Sequence, residues 1–220
     1  MRHCIFLTAY LNQHIFVPTG LINLNSMRKK YEKEDILQVG QELIRQRGYH
    51  NTGINDILKA SGIPKGSFYN FFESKEAFAE ELLEFYGDKL FKVIESFLSD
   101  INYSPFNRLK NFYNWTLESN KEEEVRYGCL VMNLSSEVSG YLDYIAVASK
   151  AQFDKWIGLI AQCIEEGQQL GEIVDTYPPL ELAQFIHSTH GGGLMRSKTM
   201  RNIGPMKSNL NIIFDLIEKK

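Results

Sequence analysis

The residues between Thr52 and Phe72 are of types that grip a polyanion rather than break a bond. Lys65 supplies a cation for a phosphate. Gly66 beside it carries no side chain, so backbone N–H groups can come close to a ligand. Ser67, Tyr69 and Asn70 offer donors and acceptors on one side of a helix, while Phe68 and Phe72, one turn apart, pack inward. Lys75 follows at the start of the next segment as a second phosphate contact. Thr52 is placed to cap the short helix that follows it and to present its hydroxyl to a nucleic-acid backbone.

Helices must position these groups. Ile36, Leu37, Leu43 and Ile44 recur at helical spacing, and Gly48 stops that helix. Ile54, Ile57 and Leu58 form one apolar face after Thr52, and Ser61-Gly62-Ile63 makes a tight turn. Pro64 takes the first position of a third helix that runs to about Phe72. Ser74 caps a long fourth helix, with Glu76 near its N-terminus suiting the dipole. Two short helices joined by a glycine-containing turn, with a supporting helix before them, lay a helix into the major groove of DNA. Further helices are expected at 105–120, 126–137, 141–170, 178–200 and 205–218, separated by Gly and Pro breaks. The fold class is therefore all-α. A three-helix helix-turn-helix head spans 27–73, and a larger bundle spans 74–220. Residues 1–26 hold one charge, Arg2, and no period; they read as an extension outside the fold, with Met27 as the natural beginning.

The ordered run Gly48-Tyr49-His50-Asn51-Thr52-Gly53-Ile54-Asn55-Asp56-Ile57, then Ala60-Ser61-Gly62-Ile63-Pro64-Lys65-Gly66-Ser67-Phe68-Tyr69-Asn70-Phe71-Phe72 and Ser74-Lys75-Glu76-Ala77-Phe78, resembles the TetR family of bacterial repressors. That resemblance implies an all-helical homodimer whose head binds double-stranded operator DNA and whose C-terminal bundle dimerises and takes a small-molecule inducer. It implies DNA contacts from Thr52, Lys65, Gly66, Ser67, Tyr69, Asn70 and Lys75. Two positions depart from the family pattern. Many relatives carry Tyr or His where this chain has Phe71, and often His where it has Asn70, which can pair bidentately with adenine.

A second stretch, Tyr127-Gly128-Cys129-Leu130-Val131-Met132-Asn133-Leu134-Ser135-Ser136-Glu137-Val138, is similar to a segment of a TetR branch that includes electrophile- and oxidant-sensing repressors, among them N-ethylmaleimide-responsive ones. A thiol just after Gly128, near a helix start and beside a cation such as Arg126, has its thiolate favoured and can add to electrophiles or be oxidised. Lys198 matches a basic position of that branch and is a candidate partner of the thiolate. The alternative is a structural Cys129 packed with Leu130 and Val131, with a reversible aromatic inducer acting instead. The aromatic residues of 105–117 and 141–156 serve core, dimer interface or inducer pocket. A thiol enzyme pairing Cys129 with His187 or His190 has no nucleophile signature behind it, and it would leave the head unexplained.

The bulk numbers agree with this outline. The net charge of −3 is unevenly spread: Met27–Glu76 carry nine Lys/Arg against seven Asp/Glu, and residues 77–220 carry 14 against 20. A mildly basic front on an acidic body suits a chain that offers one end to phosphate. Three widely spaced cysteines fit neither a disulfide framework nor a zinc site, and they suit a reducing cytoplasm. No apolar run reaches the roughly 18 residues of a membrane helix, and no cofactor or metal site is implied. His187 and His190 share one helical face without an evident third ligand. The Gly191-Gly192-Gly193 run reads as close helix approach at a dimer interface.

Overall fold

The helical periods of the sequence become nine α-helices and a single 3-10 turn in the computed structural model, which describes residues 31–220 apart from the side chains of Glu122 and Glu123. The extension over 1–26, and Cys4 within it, lie outside the described residues. The first three helices are α1 (Lys33–Arg47), α2 (Ile54–Ser61) and α3 (Lys65–Tyr69). Next come α4 (Lys75–Leu98), α5 (Pro105–Ser119), the 3-10 turn Glu122–Arg126 and α6 (Leu130–Val138). The chain ends with α7 (Asp143–Gln169), α8 (Pro179–Met200) and α9 (Gly204–Ile217). The described residues contain no strand; the nearest thing is an isolated bridge between Ile173 and Glu218. Residues Tyr31–Lys220 form one compact unit.

Most boundaries fall where Gly, Pro and Ser place them, and the exceptions have local causes. Gly48 terminates α1, its N–H donating to Ile44. Ser74 caps α4 through its hydroxyl, which accepts from Ala77 N at 3.1 Å. Thr52, expected as the cap of α2, is not one. The cap position belongs to Gly53, whose N–H donates to Asp56 Oδ2 at 2.8 Å, and the Thr52 hydroxyl donates backward to Gly48 O at 2.8 Å. Pro64 precedes α3 rather than opening it, and α3 ends at Tyr69, short of Phe72. The helix expected from 126 begins only at Leu130, because Gly128 adopts a left-handed conformation (φ 65°) that breaks the chain direction between the 3-10 turn and α6.

Long α4 ties the two ends of the molecule. At its start Phe78 packs on Phe68 and Phe72, with ring centroids 5.6 and 5.0 Å away, closing a small core under α1–α3. Each such ring, taken from water, contributes about 2–3 kcal/mol. Further along, the Gly87 carbonyl of α4 accepts a 3.2 Å hydrogen bond from Trp156 Nε1 of α7, which is fully buried. Helices α7, α8 and α9 then stack side by side. The close approach expected of the triple glycine occurs within this chain at Gly193, where an added Cβ would stand 3.0 Å from Met206 Cα on α9. Gly192 faces open space.

Candidate DNA interface and effector cavity

Helix α3 separates its side chains by function. Phe68 is fully buried, while Lys65, Gly66, Tyr69 and Asn70 are exposed and Ser67 is half-buried. Gly62 in a left-handed turn (φ 68°) reverses the chain between α2 and α3, so the outer face of α3 projects free of the other helices. Lys65 Nζ lies 5.8 Å from the Tyr69 ring centroid, on the same face. Phe71, which replaces a possible hydroxyl, is half-buried.

The other two expected contacts sit differently. Thr52 is fully buried with its hydroxyl committed to Gly48 O, so in this arrangement it braces the turn and offers no surface. Lys75 is half-buried: its ammonium donates to Tyr49 O at 2.6 Å and stands 4.0 Å over the Tyr49 ring. Burial holds its pKa below the ordinary lysine value. Both residues stabilise the Gly48–His50 turn that leads into α2.

That same turn is gripped from the other side. Glu137, on the last turn of α6, accepts from Tyr49 N at 2.9 Å and from His50 N at 3.0 Å, one carboxylate oxygen each. Tyr49 Oη meets Tyr144 Oη of α7 at 2.9 Å, and the His50 ring stacks on Tyr141 and hydrogen-bonds its hydroxyl. Arg45, at the end of α1, donates to Glu124 Oε2 at 3.0 Å and to Gly128 O at 3.3 Å. Sequence reasoning passed over Arg45 and Glu137, since charges on helices usually read as solvated surface; only their partners 79 to 88 residues away reveal them.

Between the end of α1, α6 and α8 lies a cavity of about 1010 Å³. Cys129 and Lys198 both line it, so the structure brings the two expected effector residues to one cavity. Cys129 occupies the N-cap position of α6 without a side-chain capping hydrogen bond; the backbone of Met132 and Val131 and the Tyr86 hydroxyl act to lower its thiol pKa. The cation acting on it is Arg45, rather than the expected Arg126, which is exposed. Burial outweighs all of these, and the thiol's pKa is pushed up rather than down. Lys198 Nζ donates to Asn133 Oδ1 at 3.1 Å, and Asn133 Nδ2 in turn donates to Tyr127 O at 2.6 Å. Tyr86 was not foreseen, because nothing local to α4 marks it.

The remaining candidates are packing groups. Cys163 is buried, with its sulfur 3.4 Å from Pro105 O and its pKa pushed up to about 12 by burial. His190 Nε2 lies 3.2 Å from Thr116 Oγ1, and the His187 ring packs on Phe153 at 5.3 Å. Burial lowers their pKa values to about 3 and about 4, so both rings are neutral near pH 7. Among the described residues no three His, Cys, Asp or Glu side chains cluster as a metal site, and no helix is long and apolar enough to cross a membrane.

Known proteins resemble this chain in sequence and fold. Residues 36–82 match the family described as bacterial regulatory proteins, tetR family, and residues 105–213 match the tetracyclin repressor-like C-terminal domain. The HTH-type transcriptional repressor DhaR of Mycobacterium sp. (strain GP1) is 33% identical over 185 residues, covering 84% of this chain and 91% of that protein. The HTH-type transcriptional repressor NemR of Escherichia coli (strain K12) is 29% identical over 198 residues, covering 88% and 98%. The crystal structure of E. coli NemR in its reduced form superposes with a TM-score of 0.80 at 28% identity, covering 85% of this chain and 97% of that one. With both of its parts matched and a relative one-third identical across nearly that relative's whole length, the chain belongs to the TetR family of bacterial regulatory proteins.

Proposed function

We propose that the protein is a cytoplasmic transcriptional repressor that binds a palindromic operator as a homodimer and leaves it when a small effector enters the α1–α6–α8 cavity. The head spans 27–73 and the effector-binding and dimerisation body 74–220. The observation that carries the reading is α3, whose Lys65, Gly66, Tyr69 and Asn70 stand outward while Phe68 anchors it from within. Lys65 and the backbone at Gly66 hold phosphate; Ser67, Tyr69 and Asn70 reach base edges or backbone, with Asn70 suited to adenine. Thr52 and Lys75 act by holding the Gly48–His50 turn, with Lys75 close enough to add charge toward phosphate. Dimerisation is supported by apolar side chains left in solvent on α8 and α9, notably Phe185, Met195, Ile212 and Leu216, each more than half exposed.

The effector acts at Cys129 as an electrophile or oxidant, and Lys198 lines the same cavity. A reversible hydrophobic inducer with a structural Cys129 is the second reading; the raised thiol pKa and the size of the cavity favour it. In either case α6 is the mechanical link, since one of its ends carries Cys129 and the other holds the head through Glu137.

The DNA assignment is tested by salt-dependent anisotropy. Lys65→Ala is expected to weaken binding on specific and random duplexes alike and to reduce the log–log salt slope by about one. Lys75→Ala weakens it as well, with added loss of thermal stability from the freed turn. An unchanged affinity and slope in both variants would overturn the assignment.

A further inference from the structure

The cavity wall is lopsided in charge. Arg45, Arg47, Arg126, Lys198 and Arg201 line it against one carboxylate, Glu137. Glu137 is directed at the backbone N–H groups of Tyr49 and His50 and only partly offsets the charge of Lys198. Arg45 is paired with Glu42 and Glu124, although its buried Nε has no hydrogen-bond partner. Lys198 is the wall's lysine, and no carboxylate is hydrogen-bonded to it. It is half-buried, its hydrogen bond goes to the neutral amide of Asn133, and it makes no ion pair among the described residues. Burial and the charge of Arg45 both hold its pKa below the ordinary lysine value. A cation kept half-dry beside another cation is relieved by an anion and worsened by a third positive charge.

Part of the lining is apolar. Met132, Phe153 and Leu194 belong to it, and the neutral His187 ring adds a further flat surface against Phe153. A volume of about 1010 Å³ accommodates a molecule of two fused rings or more. We propose that this cavity selects amphipathic organic anions, with a carboxylate seated on Lys198 and an apolar body against Met132 and Phe153. The proposal deepens the reading of the cavity as the effector site and rests on that reading only for its consequence, operator release. It needs no covalent step, so it stands apart from the chemistry of Cys129.

Isothermal titration calorimetry on the full chain, with 2-naphthoate and its uncharged analogue 2-naphthamide as probes, tests it directly. The carboxylate is expected to bind at least tenfold more tightly than the amide. Lys198→Gln brings the two within about threefold, and Lys198→Arg keeps the preference. Equal affinities, failure of the carboxylate to bind, or a preference that survives Lys198→Gln would overturn the proposal. Lys198-dependent binding that leaves operator affinity untouched would uphold the anion preference and remove the effector reading instead.

Discussion

The Cys129→Ser variant keeps its operator complex when N-ethylmaleimide is added, whereas the unaltered protein loses it. The expectation follows from where the thiol stands. Cys129 occupies the N-cap position of α6 and faces the cavity, so a maleimide there adds bulk at the point where α6, α1 and α8 meet. The thiolate sulfur forms a bond to one alkene carbon, and the proton displaced from the thiol ends on the neighbouring carbon; no oxidant is needed. Because burial raises the thiol's pKa, the rate of modification climbs with pH through and beyond the ordinary thiol range near 8.5, since the thiolate is the nucleophile. Cys163 is buried with a pKa pushed up to about 12 and stays unmodified over that range. Peptide mapping should therefore place an adduct on Cys129 and none on Cys163, in step with operator release. Normal release from Cys129→Ser would end the covalent reading and leave the reversible one.

The second large effect is expected from Glu137→Ala. One carboxylate receives two backbone N–H groups from the Tyr49–His50 turn, at 2.9 and 3.0 Å. Charge-assisted hydrogen bonds of this type contribute about 1.5–3 kcal/mol. Their removal is expected to lower Tm by roughly 3–12 °C in a chain of this size. The functional change is larger. Cys129 and Glu137 lie eight residues apart on one rigid helix, a span of roughly 12 Å, so a displacement at the cavity end reaches the head undamped. Couplings of this kind change affinity by about 5–150-fold. Without Glu137 the effector's influence on operator affinity is expected to collapse to within about twofold, while effector binding itself persists. Glu137→Gln keeps one acceptor and should fall between. A Glu137→Ala protein that responds to effector like the parent would show that the signal travels by another route.

Local chemistry was legible before any coordinates. Apolar spacing and the Gly48, Gly62, Pro64 and Ser74 punctuation located the helices to within a few residues, because these residues act on their own backbone neighbours. The outward and inward faces of α3 were readable for the same reason. Thr52 misled, since its hydroxyl had two backbone partners within reach, and the sequence pattern cannot rank a forward cap against a backward bond to Gly48. The effector site was half legible. Cys129 and Lys198 were marked by resemblance, but the groups that decide the thiol's behaviour, Tyr86 and Arg45, come from distant helices. The sign of its pKa shift depends on burial, which is a property of the assembled bundle. Glu137 was invisible as a clamp because its partners are main-chain groups, which carry no sequence signature.

The most direct test of the whole account is selection from a random duplex library with the full chain, followed by sequencing of the bound DNA. A two-fold repressor with α3 in the major groove predicts enrichment of a palindrome whose half-site centres lie one helical turn or a multiple of it apart. It also predicts that Asn70→Ala relaxes the preference at one position of each half-site. Enrichment of sequences without two-fold symmetry, or of none at all, would contradict it.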